Sequence, residues 1–195
     1  MFFASEVRGR LWQAGRVTSE RFNQPALPDQ PALLTLDVDG GILRLRRATR
    51  ADLPLILELL ADDRLGASRE DTSDMAPYQR AFEAIDADPC HLLVVGELLG
   101  QGKPAGPVVA TFQLSFIPGL SRRGSWRSQI EAVRVSAQLR GLGIGAAMVT
   151  WAADESRRRG CSLMQLTTHK SRRDAHRFYE RLGFAASHEG MKLTL

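Results

Sequence analysis

Three glycines fall on alternate positions in Arg140-Gly141-Leu142-Gly143-Ile144-Gly145, directly ahead of a run with helical apolar spacing. Glycine reaches left-handed backbone angles without a Cβ clash and lets the main chain approach a ligand closely. A helix beginning at Ile144 leaves its first amides without intrahelical partners, at the positive end of the helix dipole. Together these features make a device for holding a phosphate or pyrophosphate. The amides from Gly141 to Ala146 are therefore candidate phosphate ligands, with Arg140 adding charge beside them. An ordinary tight turn is the plain alternative, and three alternating glycines immediately before a helix argue against it.

Two other side chains have acid–base chemistry. Glu131 lies in Ile130–Val135, a branched apolar run that predicts a strand. A carboxylate inside such a strand is costly unless it has a task. The alternative is a paired or edge-exposed structural glutamate. Tyr179 stands beside Phe178 on or next to the apolar face of a helix predicted over residues 172–182, where a core aromatic is the plain reading.

Ile130-Glu131-x-Val133-x-Val135 followed by the glycine run resembles the acetyl-CoA site of the GNAT superfamily of N-acetyltransferases. Ala175-x-x-Phe178-Tyr179-x-x-Leu182-Gly183-Phe184 resembles the same superfamily's C-terminal signature, in the family's order and roughly its spacing. The resemblance extends more weakly from about Ile42 to Leu195. It implies that the amides of Gly141, Leu142, Gly143, Ile144, Gly145 and Ala146 bind the CoA pyrophosphate, and that the backbone of Val133, Arg134 and Val135 pairs with the pantetheine arm like an added strand. It further implies Glu131 as the base for the acceptor amine and Tyr179 as the acid for the CoA sulfur. Many family members have an asparagine seven residues before that tyrosine; this chain has Arg172, which either reaches a CoA phosphate instead or leaves the contact absent. The implied activity is transfer of an acetyl group from acetyl-CoA to a small-molecule or peptide amine, without a metal, and the resemblance allows a homodimer.

The glycines also fit a dinucleotide fingerprint, Gly141-x-Gly143-x-x-Ala146. They come too late in the chain for that fold, and the strand after their helix ends at Thr167-Thr168-His169, with no acid for a ribose hydroxyl. Two functional alternatives stay open. One is a non-catalytic CoA-binding sensor or interaction domain; the other is an acetyltransferase directed at aminoacyl-tRNA.

The elements that must position these residues can be read in order. Residues 33–38 and 42–47 are strand-like and flank Asp39-Gly40, a hairpin signal. Thr49 and Asp52 open a helix that runs to about Ala61 on Leu53, Ile56, Leu57 and Leu60. A polar loop, 62–74, carries Asp62, Asp63, Glu70, Asp71 and Asp74, acids suited either to a cationic amine or to plain solvation. A second helix is expected over 76–87 with Tyr78, Phe82 and Ile85 inward. Strands follow over 91–98 and 108–116, then a loop over 118–128 in which Trp126 either contacts substrate or, as the plainer reading has it, covers the core. The helix after the glycines uses Ile144, Ala147, Met148, Trp151, Ala152 and Glu155, and stops at Arg157-Arg158-Arg159-Gly160. A buried strand over 162–168 and two more, 184–187 and 191–195, are expected to close the sheet. The alternation gives an α/β (α+β) fold, and the resemblance makes it a mixed, mostly antiparallel sheet flanked by about four helices.

Composition agrees with one globular domain, residues 33–195, behind an N-terminal extension, residues 1–32. Hydrophobic residues make up 44% and charged residues 25% of the chain, in the range of water-soluble domains. Glu6, Glu20 and Asp29 argue against a transit peptide, and no apolar run reaches membrane-spanning length. Two scattered cysteines and four scattered histidines form neither a disulfide framework nor a metal pattern, so a reducing cytoplasm is the expected location. The net charge of +4 fits a protein that binds several phosphates, and helix ends explain the arginine run better than a nucleic-acid surface does.

Overall fold

The computed structural model describes residues 31–38, 41–62, 70–100 and 106–195. Residues 1–30 of the expected N-terminal extension, the Asp39-Gly40 turn and Asp63 lie outside the described residues. Among the described residues six strands form one sheet in chain order: β1 (Leu34–Val38), β2 (Gly41–Arg47), β3 (His91–Leu99), β4 (Val108–Ile117), β5 (Trp126–Val135) and β6 (Cys161–Gln165). The first five pair antiparallel and β6 runs parallel to β5. The helices are α1 (Leu53–Ala61), α2 (Ala76–Ala87), the single turn α3 (Ser121–Gly124), α4 (Ile144–Arg158) and α5 (Arg173–Arg181). The mixed, mostly antiparallel architecture is the expected one.

Period-two alternation along the strands sorts two cores onto opposite faces. Leu92 and Val94 of β3 join Leu114, Ile130, Met148 and Trp151 under α4, with Phe178 and Tyr179 of α5 packed at the margin. Val95, partly with Leu93, joins Leu53, Ile56 and Phe82 under α1 and α2. Thr49 and Asp52 make a capping box ahead of α1, and Asp52 also receives the buried Arg46 guanidinium through two bonds of 2.8 Å. Arg46 reaches Glu97 at 2.6 Å as well, so the buried charges compensate one another.

Four expectations are corrected. On α1 the buried leucine is Leu59 rather than Leu60, one position round the helix. β5 starts at Trp126, inside the stretch read as loop, because residues 126–128 continue the ladder with β4 and β6. β6 is half exposed at the sheet's edge, with Leu163 open to solvent, not a buried strand. Residues 184–187 and 191–195 form no strands, and Met191, Leu193 and Leu195 stand exposed, so among the described residues β6 has no outer neighbour.

Candidate active site

The glycine run does locally what its composition demands. Gly141 and Gly143 take φ of 88° and 80°, angles that suit glycine and strain other residues. Gly143 is the N-cap of α4, and no side chain caps that end. The first bond of the helix runs from the Ala147 amide to the Gly143 carbonyl at 3.0 Å, so the amides of Ile144, Gly145 and Ala146 lie ahead of the hydrogen-bonded ladder. A Cβ on Gly141 would meet nothing within 4 Å, while one on Gly145 would sit 3.4 Å from the Phe178 ring. Gly141 thus borders open space, and Gly145 lets α5 pack against α4. These features fit a pyrophosphate.

Beside this cradle the sheet splays. The ladder between β5 and β6 ends at Gln129–Gln165, yet β5 continues to Val135. Along residues 130–135 no strand among the described residues pairs with the β5 edge turned toward β6; the Val133 and Val135 carbonyls accept instead from the Arg134 and Arg140 guanidiniums at 3.0 and 3.1 Å, bonds that an extended ligand would replace. Val133, Arg134 and Val135 lie on that edge. Ala132, with φ of 52°, marks a bulge where the register against β4 shifts between Thr111 and Gln113. A non-glycine residue there costs about 1 kcal/mol or more, strain of a kind concentrated at functional sites.

Glu131 is solvent-exposed, contrary to its expected place inside an apolar strand, so its carboxylate carries no burial cost. Its neighbours define it instead. Gln165 donates its amide to Gln129 at 2.7 Å, and Gln129 donates to Glu131 at 2.7 Å. Gln113 lies opposite Glu131 on β4, and Ser115 lies opposite Gln129 and bonds His91 at 2.8 Å. A polar platform covers this part of the α1/α2 face. Gln129 falls in the gap between the expected loop over 118–128 and the expected strand from Ile130, and Gln165, inside the expected strand 162–168, acquires its role only through the ladder that pairs it with Gln129. The signal was there in the alternation Arg127, Gln129, Glu131.

On the other side of the splay, Tyr179 is half-buried, edge-on to Phe178 at 5.0 Å and to Phe184 at 5.6 Å. Burial pushes its phenol above 10, against the smaller opposing pull of Arg134 and Arg172. Arg134 of β5 and Arg172, the N-cap of α5, thus lie within electrostatic reach of Tyr179. Arg140 turns sideways: its guanidinium bonds the Val135 carbonyl at 3.1 Å and the Asp62 carboxylate at 3.0 Å. Asp71 and Asp74 accept from the nearby amides of Ser73 and Ala76, and Glu70 accepts from the Tyr78 hydroxyl. These acids serve their own loop. Trp126 is 39% exposed, contrary to its expected place over the core, and borders a shallow apolar recess with Pro89, Cys90, Phe116 and Arg159 at the far end of β5.

Comparisons with known proteins bear on the family and the fold. Residues 53–184 match the sequence profile described as the Acetyltransferase (GNAT) family. An aminoalkylphosphonate N-acetyltransferase of Salmonella typhimurium is 31% identical over 152 residues, which cover 75% of this chain and 88% of that protein. A glucosamine 6-phosphate N-acetyltransferase of Trypanosoma brucei brucei is 30% identical over 155 residues, 78% of this chain and 96% of that one. Among solved structures, a transcriptional regulator from Bacillus halodurans superposes with a TM-score of 0.72 at 43% identity, covering 78% of this chain and 99% of that one. No helix among the described residues is long and apolar enough to cross a membrane. With its profile match spanning most of the chain, and with two N-acetyltransferases as relatives over three-quarters of it, the protein belongs to the GNAT family of acyltransferases.

Proposed function

We propose that this protein transfers the acetyl group of acetyl-CoA to a small-molecule amine by direct attack on the thioester. The observation that carries the reading is the continuity between the uncapped start of α4 and the β5 edge beyond the ladder with β6, which leads to Glu131 at one end and carries Val133 and Val135 into the same core margin as Tyr179. The amides from Gly141 to Ala146 hold the pyrophosphate, and Arg140 and Arg172 add positive charge near it. Val133, Arg134 and Val135 pair with the pantetheine arm through their main chain. Acetyl-CoA, as donor substrate, supplies an activated acyl carbon and a thiolate leaving group.

Amines are mostly protonated at neutral pH, so the acceptor needs a base before it can attack. Glu131, steadied by Gln129, takes that proton directly or through water and passes it to solvent. The new N–C bond forms as the C–S bond breaks. A main-chain amide at the Ala132 bulge stabilises the charge that develops on the acyl oxygen. Tyr179 gives the sulfur its proton, and the second proton lost by the nitrogen restores Tyr179 through water. Small amine acceptors are supported by the two relatives named for them.

A second reading, a CoA-binding regulator without turnover, is favoured by the name of the Bacillus halodurans protein. Thermal unfolding with acetyl-CoA, followed by thiol release with a panel of amines, separates the two. Stabilisation with acceptor-dependent thiol release supports the enzyme. Stabilisation with no thiol release from any amine supports the regulator, and no stabilisation at millimolar acetyl-CoA sinks both.

A further inference from the structure

From Leu98 to Ile130 the chain carries no aspartate or glutamate, while Arg122, Arg123 and Arg127 cluster around the β4–β5 connection. Arg127 is half-buried on the sheet face that carries Gln129 and Glu131, because Ser128 and Ile130 point into the α4 core. Among the described residues, none of these three arginines has a carboxylate partner. A half-buried guanidinium with no counter-ion is an unusual arrangement, since charges withdrawn from water are normally paired.

The connection itself is shaped around that guanidinium. A Cβ on Gly119 would lie 3.7 Å from Arg127 Nη1, 4.0 Å from Ser121 Oγ and 3.2 Å from the Ser125 carbonyl. Glycine at 119 therefore leaves clear a small space bordered by the Ser125 carbonyl, the guanidinium and a hydroxyl, with the guanidinium and hydroxyl as its donors. Arg122 and Arg123, with φ of 53° and 61°, both take left-handed angles, strain that non-glycine residues carry only when the surroundings enforce it. A fork of guanidinium donors with a nearby hydroxyl matches a tetrahedral oxyanion better than a planar apolar group.

We propose that Arg127, with Ser121 and the exposed Arg122 and Arg123, forms an anion subsite that holds a phosphoryl group on the acceptor while its amine reaches Glu131. The inference rests on the acetyltransferase reading and names its substrate class. Four residues along a strand place the Cα of Arg127 about 13 Å from that of Glu131, and side chains standing on one face of the strand keep roughly that separation. A charge-assisted contact at each end takes up roughly 3 Å, leaving about 7 Å between the amine nitrogen and the anion. That span suits an amino sugar phosphorylated at its far end. It is too long for an aminomethylphosphonate, whose amine and phosphorus are one carbon apart.

The test measures thiol release with glucosamine, glucosamine 6-phosphate and aminomethylphosphonate, for wild type, Arg127→Met and Arg127→Lys. The wild type should favour glucosamine 6-phosphate over glucosamine in kcat/KM by about ten- to a hundredfold, the effect of a charged hydrogen-bonding contact. Arg127→Met should collapse that ratio toward one through KM, and Arg127→Lys should restore part of it. A ratio near one in the wild type overturns the subsite, as does an Arg127→Met variant that slows all acceptors equally. A preference for aminomethylphosphonate abolished by Arg127→Met overturns the spacing. The acetyltransferase reading fails separately, if the wild type neither binds acetyl-CoA nor releases thiol with any amine.

Discussion

Gln129 donates its side-chain amide to the Glu131 carboxylate at 2.7 Å, two residues along the same face of β5, and is itself held by Gln165 at 2.7 Å. Strand residues i and i+2 share a face, so the pair is fixed by the pleat rather than by a flexible loop. Gln129 is thus a positioning residue for Glu131. Replacing it with leucine should lower kcat by about threefold to tenfold and leave the KM for acetyl-CoA unchanged, the loss expected when one orienting hydrogen bond is removed. A fall in stability that matches the fall in kcat would instead mark Gln129 as structural, and unfolding curves read beside the kinetics decide it.

Glu131 itself is tested by exchange for glutamine, which keeps the hydrogen-bonding shape and removes the base. The acceptor-dependent rate should fall about 100-fold or more, in line with general-base catalysis. Acetyl-CoA stabilisation of the fold should persist, because the proposed cradle lies at residues 141–146. Raising the pH should recover part of the lost rate, since more of the amine is then already free. A rate within threefold of wild type at neutral pH would remove Glu131 from the mechanism.

The glycine run was legible in the sequence because its physics is local: two of the three alternating glycines take angles that other residues avoid, and a helix begins where they end. Helix limits were legible for a similar reason. α2 falls on the expected residues, Ala76–Ala87, and Gly160 and Gly183 follow α4 and α5 with positive φ. What the sequence hid depends on distant pairing. The point at which β5 and β6 part company is fixed by the ladder ending at Gln129–Gln165, and nothing in either segment alone announces it. The Arg140–Asp62 pair and the exposed position of Glu131 are likewise products of the assembled sheet. Residues 191–195 have the alternation of a strand, but alternation supplies only one partner of a ladder.

Gly143 tests the cradle. Its φ of 80° makes alanine there cost about 1–2 kcal/mol, a penalty visible without any ligand. Glutamate at the same position adds a carboxylate where the phosphate should sit. Acetyl-CoA at about 100 times its dissociation constant should stabilise the wild type by roughly 2.7 kcal/mol. Gly143→Ala should keep most of that gain above its lower baseline, and Gly143→Glu should lose it. Equal stabilisation of Gly143→Glu and wild type would place the ligand elsewhere.

Tyr179 makes an alkaline prediction. Burial raises its phenol above 10, so the hydroxyl remains protonated through the whole neutral range. A group whose folded value is raised contributes stability that is full below its unfolded value near 10 and is lost as the pH climbs through the folded one. Melting temperature should therefore drop more steeply above pH 10 in the wild type than in Tyr179→Phe. Thiol release by Tyr179→Phe should be about tenfold to 100-fold slower with acetyl-CoA binding intact, if the phenol is the acid. Parallel alkaline melting of the two proteins would show that the phenol's burial makes no difference to the fold.

Arg46 and Asp52 carry the last prediction, which concerns the scaffold. Burial pushes the Asp52 carboxyl up, but the Arg46 guanidinium and the amide and hydroxyl of Thr49 outweigh it and hold it below the ordinary 3.8. Removing Arg46 as methionine leaves the Asp52 carboxylate uncompensated at the start of α1, which should cost about 3–5 kcal/mol. The sign for acid follows from the lowered value: the stabilisation is full above 3.8 and disappears as pH falls through the folded value. Asp52→Asn should therefore be less stable than wild type at neutral pH, with the gap in melting temperature narrowing below pH 4. A gap that stayed constant down to pH 2 would mean the capping bonds to Thr49, which asparagine partly keeps, matter more than the charge.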